Sequence, residues 1–198
     1  MYPLFETIRY KNGVAENLSL HQQRVDTALM HLGAQQKINL SVIINNQPHK
    51  PTIHNQVYKC RISYDLAGNS FVQFELYAIK SVQSISVHDI GSNEYAHKYS
   101  DRKWINNIMA QSGTDEVLFT QNGFIKDASY ANLVFYDGKN WITPSNPLLL
   151  GTRRALLLQN GIIKHAPLQI KDLSSFSAIR FINAMMLWEE SPLMEIAF

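Results

Sequence analysis

The chain has 198 residues, 45% hydrophobic and 17% charged, with 18 Lys and Arg against 16 Asp and Glu for a net charge of +2. That is the composition of an ordinary globular protein, large enough for one substantial core or two smaller ones. The charge balance argues against nucleic-acid or membrane binding by bulk electrostatics, and no stretch reaches the ~20 apolar residues of a bilayer span. Cys60 is the single cysteine, so no intrachain disulfide can form and a reducing, cytoplasmic setting is expected. Its place in the strand-like VYKCRISY suits a small buried hydrophobe.

In chain order, LFETIRYKNGVAE predicts two strands joined at Lys11-Asn12-Gly13, Asn-Gly being a strong hairpin signal. Val25, Ala28, Leu29 and Leu32 fall at helical spacing, predicting a helix from about Leu20 to Leu32 with Gly33 as its stop. KINLSVIINN is ambiguous, because periodicity alone does not separate a short helix from a strand there. VYKCRISYDLAGNSFVQFELYAI predicts two alternating strands, and SVQSISVHDI a further extended segment of the same two-layer α/β unit. The polar DIGSNEYAH suggests a linker, giving a small α/β domain over 1–88, a linker over 89–97 and a larger domain over 98–198. A helix from about Ser100 to Gln111 follows. EVLFTQNGFIKD, NLVFYDGKNWITP and AIRFINAMM then read as strands with tight polar turns, and GTRRALLLQNG as a short helix stopped by Asn160-Gly161.

Metal chemistry is not expected, since the seven His are scattered and no HExxH or CxxC occurs. GxGxxG, the Walker loop and GxSxG are absent too. What stands out is Gly151-Thr152-Arg153-Arg154 at a helix start, where a glycine, backbone N–H groups, a hydroxyl and a cationic fork suit an anion. By itself the turn reads first as a solvated helix start with two surface arginines. Asp127 reads either as a turn carboxylate or as an acid held for a cationic nitrogen. Lys98 and Arg24, on bulk expectation, are surface cations.

Taken in order, LFETIR (4–9), LHQQR (20–24), HKYSDR (97–102), DEVLFTQNGFIKDASYANLVF (115–135), TP (143–144) and LLLGTRR (148–154) resemble the class IV aminotransferase family. These are fold-type IV enzymes that use pyridoxal 5'-phosphate. They include branched-chain and D-amino-acid aminotransferases and 4-amino-4-deoxychorismate lyase. The resemblance implies the D-amino-acid aminotransferase-like fold, α+β in class, with a small two-layer domain and a larger barrel-like α/β domain, and it implies a homodimer.

On that resemblance Lys98 stands at the Schiff-base lysine, the amine that condenses with the cofactor aldehyde and shuttles the α-proton. Asp127 stands where relatives have Glu against the pyridine nitrogen, one methylene shorter. Asn132 matches the asparagine that follows it. Thr152 and Arg153 fall on the phosphate-binding turn, with Thr152 in the usual Ile slot and Arg153 in the usual Thr slot. Arg24 matches the helical arginine that reaches the same phosphate. Arg61 and Arg102 are candidates for a substrate carboxylate. Lys103 occupies a position where several transaminases carry Tyr, in which the chain is similar to the lyase branch. That branch forms 4-aminobenzoate and pyruvate for folate synthesis, and it is the expected activity. Amino-acid transamination is the second expectation, and a shortened cofactor-binding protein of weak turnover the third.

Overall fold

The computed structural model describes residues 2–195, which divide into two compact units. The first comprises residues up to Ala78 together with His97–Asp101. The second comprises Ile79–Ala96 and the chain from Arg102 onward.

In the first unit β1 (Leu4–Lys11), β2 (Val14–Ala15), β3 (Val57–Tyr64) and β4 (Ser70–Leu76) form an antiparallel sheet in the order β2-β1-β3-β4. The expected hairpin closes through Asn12 and Gly13, both at positive φ (51° and 82°), as a two-residue turn of that twist requires. Period-two alternation sends Tyr58, Cys60, Ile62 and Tyr64 of β3 to one face, opposite Tyr10, Ile8, Glu6 and Leu4 of β1. On that face pack α1 (Leu18–His31), through Val25, Ala28 and Leu29, and α2 (Leu40–Asn45), through Leu40 and Ile44. The ambiguous KINLSVIINN is therefore helical from Leu40 to Asn45. Asn39 decides it: its side chain accepts the Val42 N–H at 3.0 Å and satisfies an otherwise orphaned helix-start donor. Burial drives the Cys60 thiol up to about 12, which fits the inert hydrophobic role expected of it.

The second unit is built on β5 (Ile85–Asp89), β6 (Glu116–Gln121), β7 (Phe124–Ala128), β8 (Asn132–Tyr136), β9 (Trp141–Pro144) and β10 (Lys164–Ala166). β5 lies parallel to β6 with α3 (Lys103–Ser112) between them in sequence, and β9 parallel to β10 with α4 (Thr152–Gln159) between. β11 (Ala178–Ile182) pairs with β8 on one edge and with β12 (Leu193–Glu195) on the other. The opposite edge of β8 is shared: Asn132 meets β7 through a single pair with Asp127, while Phe135 and Tyr136 meet β9. Leu133 and Phe135 enter one cluster with Leu118, Ile179 and Phe181, whereas Val134 enters another with Leu157 and Ile163.

Three details differ from expectation. SVQSISVHDI is expected in the first unit, yet Ile85–Asp89 pairs with β6 of the second. Lys98 was placed at the head of the larger domain, yet His97–Asp101 packs with the first unit, where Lys98 lies beside β1, and α3 starts only at Lys103. The barrel-like sheet is open, its order ending at β10 and β5.

Ile62 is fully buried at the centre of the first core. Ile62→Ala should lower stability by about 2–5 kcal/mol in urea unfolding. Phe71→Ala, on the exposed side of β4, should change it by less than about 0.5 kcal/mol.

Candidate active-site residues

Each unit holds part of the set expected from the sequence. In the first unit, even-numbered β1 residues face the helices, so Glu6 is carried beneath α1 and is fully buried. HQQR places His21 and Arg24 three residues apart, on neighbouring positions of the helix face. Arg24 donates from Nε to Glu6 Oε1 at 2.9 Å and from Nη2 to Oε2 at 2.5 Å, a bidentate pair. His21 Nδ1 lies 2.6 Å from the same Oε2. Burial by itself would raise the Glu6 carboxyl, but the Arg24 charge and the His21 contact outweigh it and hold the group at about 2. Burial keeps His21 below the usual imidazole range, so the neutral ring donates its Nδ1–H to the carboxylate. Glu6 and His21 have no role that the sequence alone assigns; the one available signal is that Glu6 interrupts the otherwise apolar face of β1.

Lys98 is placed by the start of β1. Phe5 N–H donates to Lys98 O at 3.1 Å, Ser100 N–H to Pro3 O at 2.8 Å, and Leu4 bridges Tyr99. Residues 98–100 thus run along the β1 edge that β2 occupies further on. The Lys98 ammonium lies 4.7 Å from the Phe5 ring centroid, and the Arg61 guanidinium carbon lies 3.7 Å from the same ring. Phe5 therefore gathers two cations on a surface that attracts them electrostatically.

In the second unit the pairing of Asp127 with Asn132 sets both side chains on one face. Asn132 Nδ2 donates to Asp127 Oδ1 at 2.7 Å and to Leu149 O at 2.9 Å, and Leu149 N–H donates to Asp127 Oδ2 at 2.9 Å. One carboxylate and one amide thus fasten β7, β8 and the approach to α4. Asp127 is 4% exposed, and burial pushes its carboxyl up to about 6 despite the opposing donors and the Arg154 charge.

Thr152, Arg153 and Arg154 open α4 and are all buried, which corrects the reading of two surface arginines. Arg154 donates from Nη2 to Pro144 O at 2.9 Å and from Nε towards Thr143 Oγ1 at 3.3 Å, so the TP and GTRR motifs are bonded to each other. Gly151 has φ −72°, so its need is for space and not for a special backbone conformation. A Cβ there would lie 1.9 Å from Asn132 Oδ1. Arg102 is bonded to Ser129 O, and its guanidinium lies 5.7 Å from the Tyr95 ring centroid. It braces the loop after β7. Among the described residues no group of three or more His, Cys, Asp or Glu is placed to hold a metal ion. No helix among them is long and apolar enough to cross a membrane.

Two outcomes follow from this geometry. Gly151→Ala must displace an amide whose Nδ2 makes two hydrogen bonds, at a cost of about 2 kcal/mol. In an Asn132→Ala background the same change should cost less than about 0.5 kcal/mol, and equal costs in both backgrounds would contradict the packing account. The raised Asp127 carboxyl also makes stability pH-dependent. In ligand-free protein its contribution is complete below about pH 4 and lost as pH rises through about 6, a swing of about 3 kcal/mol. Glu6 acts oppositely and lower, its contribution being lost as pH falls from about 4 towards 2. Urea midpoints measured between pH 4 and 7 should show the first effect in the wild type and not in Asp127→Asn.

Residues 40–189 match the family described as amino-transferase class IV. A protein of Haemophilus influenzae with no assigned activity is 38% identical over 188 residues, covering 93% of this chain and 98% of its own. A crystal structure from Haemophilus somnus, provisionally named a 4-amino-4-deoxychorismate lyase, is 34% identical over 93% of this chain and 97% of its own, with a TM-score of 0.86. A hypothetical aminotransferase of Mycobacterium tuberculosis, solved in a PLP-bound form, shares the fold at 17% identity and a TM-score of 0.72, covering 96% of this chain and 79% of its own. With the motifs, the fold and the family match in agreement, the chain belongs to the class IV aminotransferase family.

Proposed function

We propose that the protein is a pyridoxal 5'-phosphate-dependent enzyme acting as a 4-amino-4-deoxychorismate lyase, releasing 4-aminobenzoate and pyruvate. The observation that carries the cofactor reading is Asp127. Its hydrogen-bond donors are neutral, its burial is nearly complete, and its carboxyl stands at about 6. A protonated ring nitrogen is the kind of partner that relieves this desolvation, so the residues fit the group. The lyase assignment is supported by the Haemophilus somnus relative and by Lys103 at the position where several transaminases carry Tyr.

When bound, pyridoxal phosphate supplies an aldehyde for covalent capture of an amine and a protonated ring that withdraws electrons from the adjacent carbon. In this reading Lys98 Nζ is the covalent attachment point, and it takes and returns the proton at the substrate carbon next to the amine. Asp127 holds the proton on the ring nitrogen, and Asn132 fixes the carboxylate that does so. Thr152, Arg153 and Arg24 serve the phosphate, and the Glu6 pair fixes the guanidinium of Arg24 in one orientation. Arg61, held over Phe5, is the better placed of the two candidates for a substrate carboxylate, because Arg102 is committed to Ser129. A homodimer in the cytoplasm completes the proposal.

Protein loaded with pyridoxal phosphate should be yellow, and borohydride should abolish the colour and fix the cofactor mass on the Lys98 peptide. Lys98→Ala should remove both signals while keeping the wild-type urea midpoint within about 1 kcal/mol. A colourless wild type after reconstitution, or fixation on another lysine, overturns the assignment. Release of pyruvate and 4-aminobenzoate from 4-amino-4-deoxychorismate separates the lyase from a transaminase, which would transfer the amino group to an oxo acid instead. Neither product, from protein that binds the cofactor, would identify a binding protein of weak turnover.

A further inference from the structure

The second unit carries a cleft of about 310 Å³ whose lining includes Phe124, Lys126, Ser145, Asn146, Pro167 and Leu168. Lys126 is only 7% exposed, and lysines are almost never so buried unless paired. Among the described residues Lys126 has no hydrogen-bond or ion-pair partner. It precedes Asp127 on β7, so strand alternation turns it to the other face, away from the carboxylate already described. The Lys126 cation thus belongs to a concave lining that also holds the polar residues Gln121, Asn122, Ser145 and Asn146 and the carbon of Phe124, Pro167 and Leu168. The cleft lies at the small end of the size range for ligand sites.

We infer that this cleft binds a small organic carboxylate, its anionic group on Lys126 and its apolar body against Phe124, Pro167 and Leu168. A carboxylate suits the site better than a phosphate. Phosphate sites gather arginines, a helix start or several convergent backbone N–H groups, whereas Lys126 is the one cation in this lining. The Ser145 N–H is already donated to Ala166 O at 2.8 Å, which fixes the Ser145–Asn146 part of the lining. The inference stands independently of the cofactor chemistry proposed for Lys98 and Asp127.

Calorimetric titration of the full chain with benzoate, with and without pyridoxal phosphate, tests it. Benzoate should bind at millimolar concentration or tighter, and neutral benzamide at least about tenfold more weakly. Lys126→Met, which keeps the apolar stem, should weaken benzoate by about tenfold to a hundredfold, the effect of losing a charge-assisted contact. Asn146→Asp, an exposed substitution that does not disturb the core, should weaken it about tenfold by placing an anion on the rim. Lys98→Ala should leave it unchanged. The inference is overturned if benzoate fails to bind, if benzamide binds equally, or if Lys126→Met and Asn146→Asp bind like the wild type. It is equally overturned if Lys98→Ala abolishes binding, since the ligand would then belong to the proposed reaction chemistry.

Discussion

The second unit depends on one buried carboxylate. Asp127 accepts from the Asn132 side chain across the strand pair and from the Leu149 N–H twenty-two residues further along. Because Asn132 also donates to Leu149 O, the segment entering α4 is held to β7 and β8 by two short bonds, one to each side chain. The rest of the turn follows from that clamp. Position 151 must be glycine because the Asn132 amide fills the space of a side chain. Arg154, immobilised against Thr143 and Pro144, ties the end of β9 to α4 and lends Asp127 a partial counter-charge. Such networks are stronger than their separate bonds only when every member is satisfied.

Glu6 shows by contrast what Asp127 lacks. Both carboxylates are almost wholly buried, yet Glu6 lies at about 2 and Asp127 at about 6. Glu6 has a bidentate guanidinium within hydrogen-bonding distance, which outweighs its desolvation. Asp127 has neutral donors and a more distant arginine, which do not. The chain has therefore closed the charge balance of its first unit internally and left that of Asp127 open. An open balance of this kind is a recurrent mark of functional sites, because a ligand of opposite charge completes it. The short Asp127 side chain presents one oxygen to the Asn132 amide and the other to the Leu149 N–H.

Much of this was legible in the sequence wherever the cause was local. Asn12-Gly13 and Asn122-Gly123 both turn with positive φ, and Val25, Ala28 and Leu29 are buried at the spacing that announced α1. Motif order singled out Lys98, Asp127 and Asn132 although none of them stands out by composition. What escaped was set by partners distant in sequence. Ile85–Asp89 joins the second sheet because it finds β6 across a connection of more than twenty residues, which periodicity does not encode. The helix in KINLSVIINN rests on one asparagine cap. Arg153 and Arg154 read as exposed because arginines usually are, yet both are buried, Arg154 against the distant Thr143 and Pro144. Arg102 and Glu6 have roles fixed by Ser129 and Arg24, neither of which pattern reasoning could pair with them.

The central claim is that Asp127 is a buried carboxylate awaiting a cation. Carbon-detected NMR titration of its carboxyl group, before and after addition of pyridoxal phosphate, measures this directly. The account predicts a midpoint near 6 in the ligand-free protein and a fall of at least about one pH unit on binding, because an adjacent cation favours the ionised form. A ligand-free midpoint in the ordinary carboxylate range, or one that cofactor addition leaves unmoved, would contradict it.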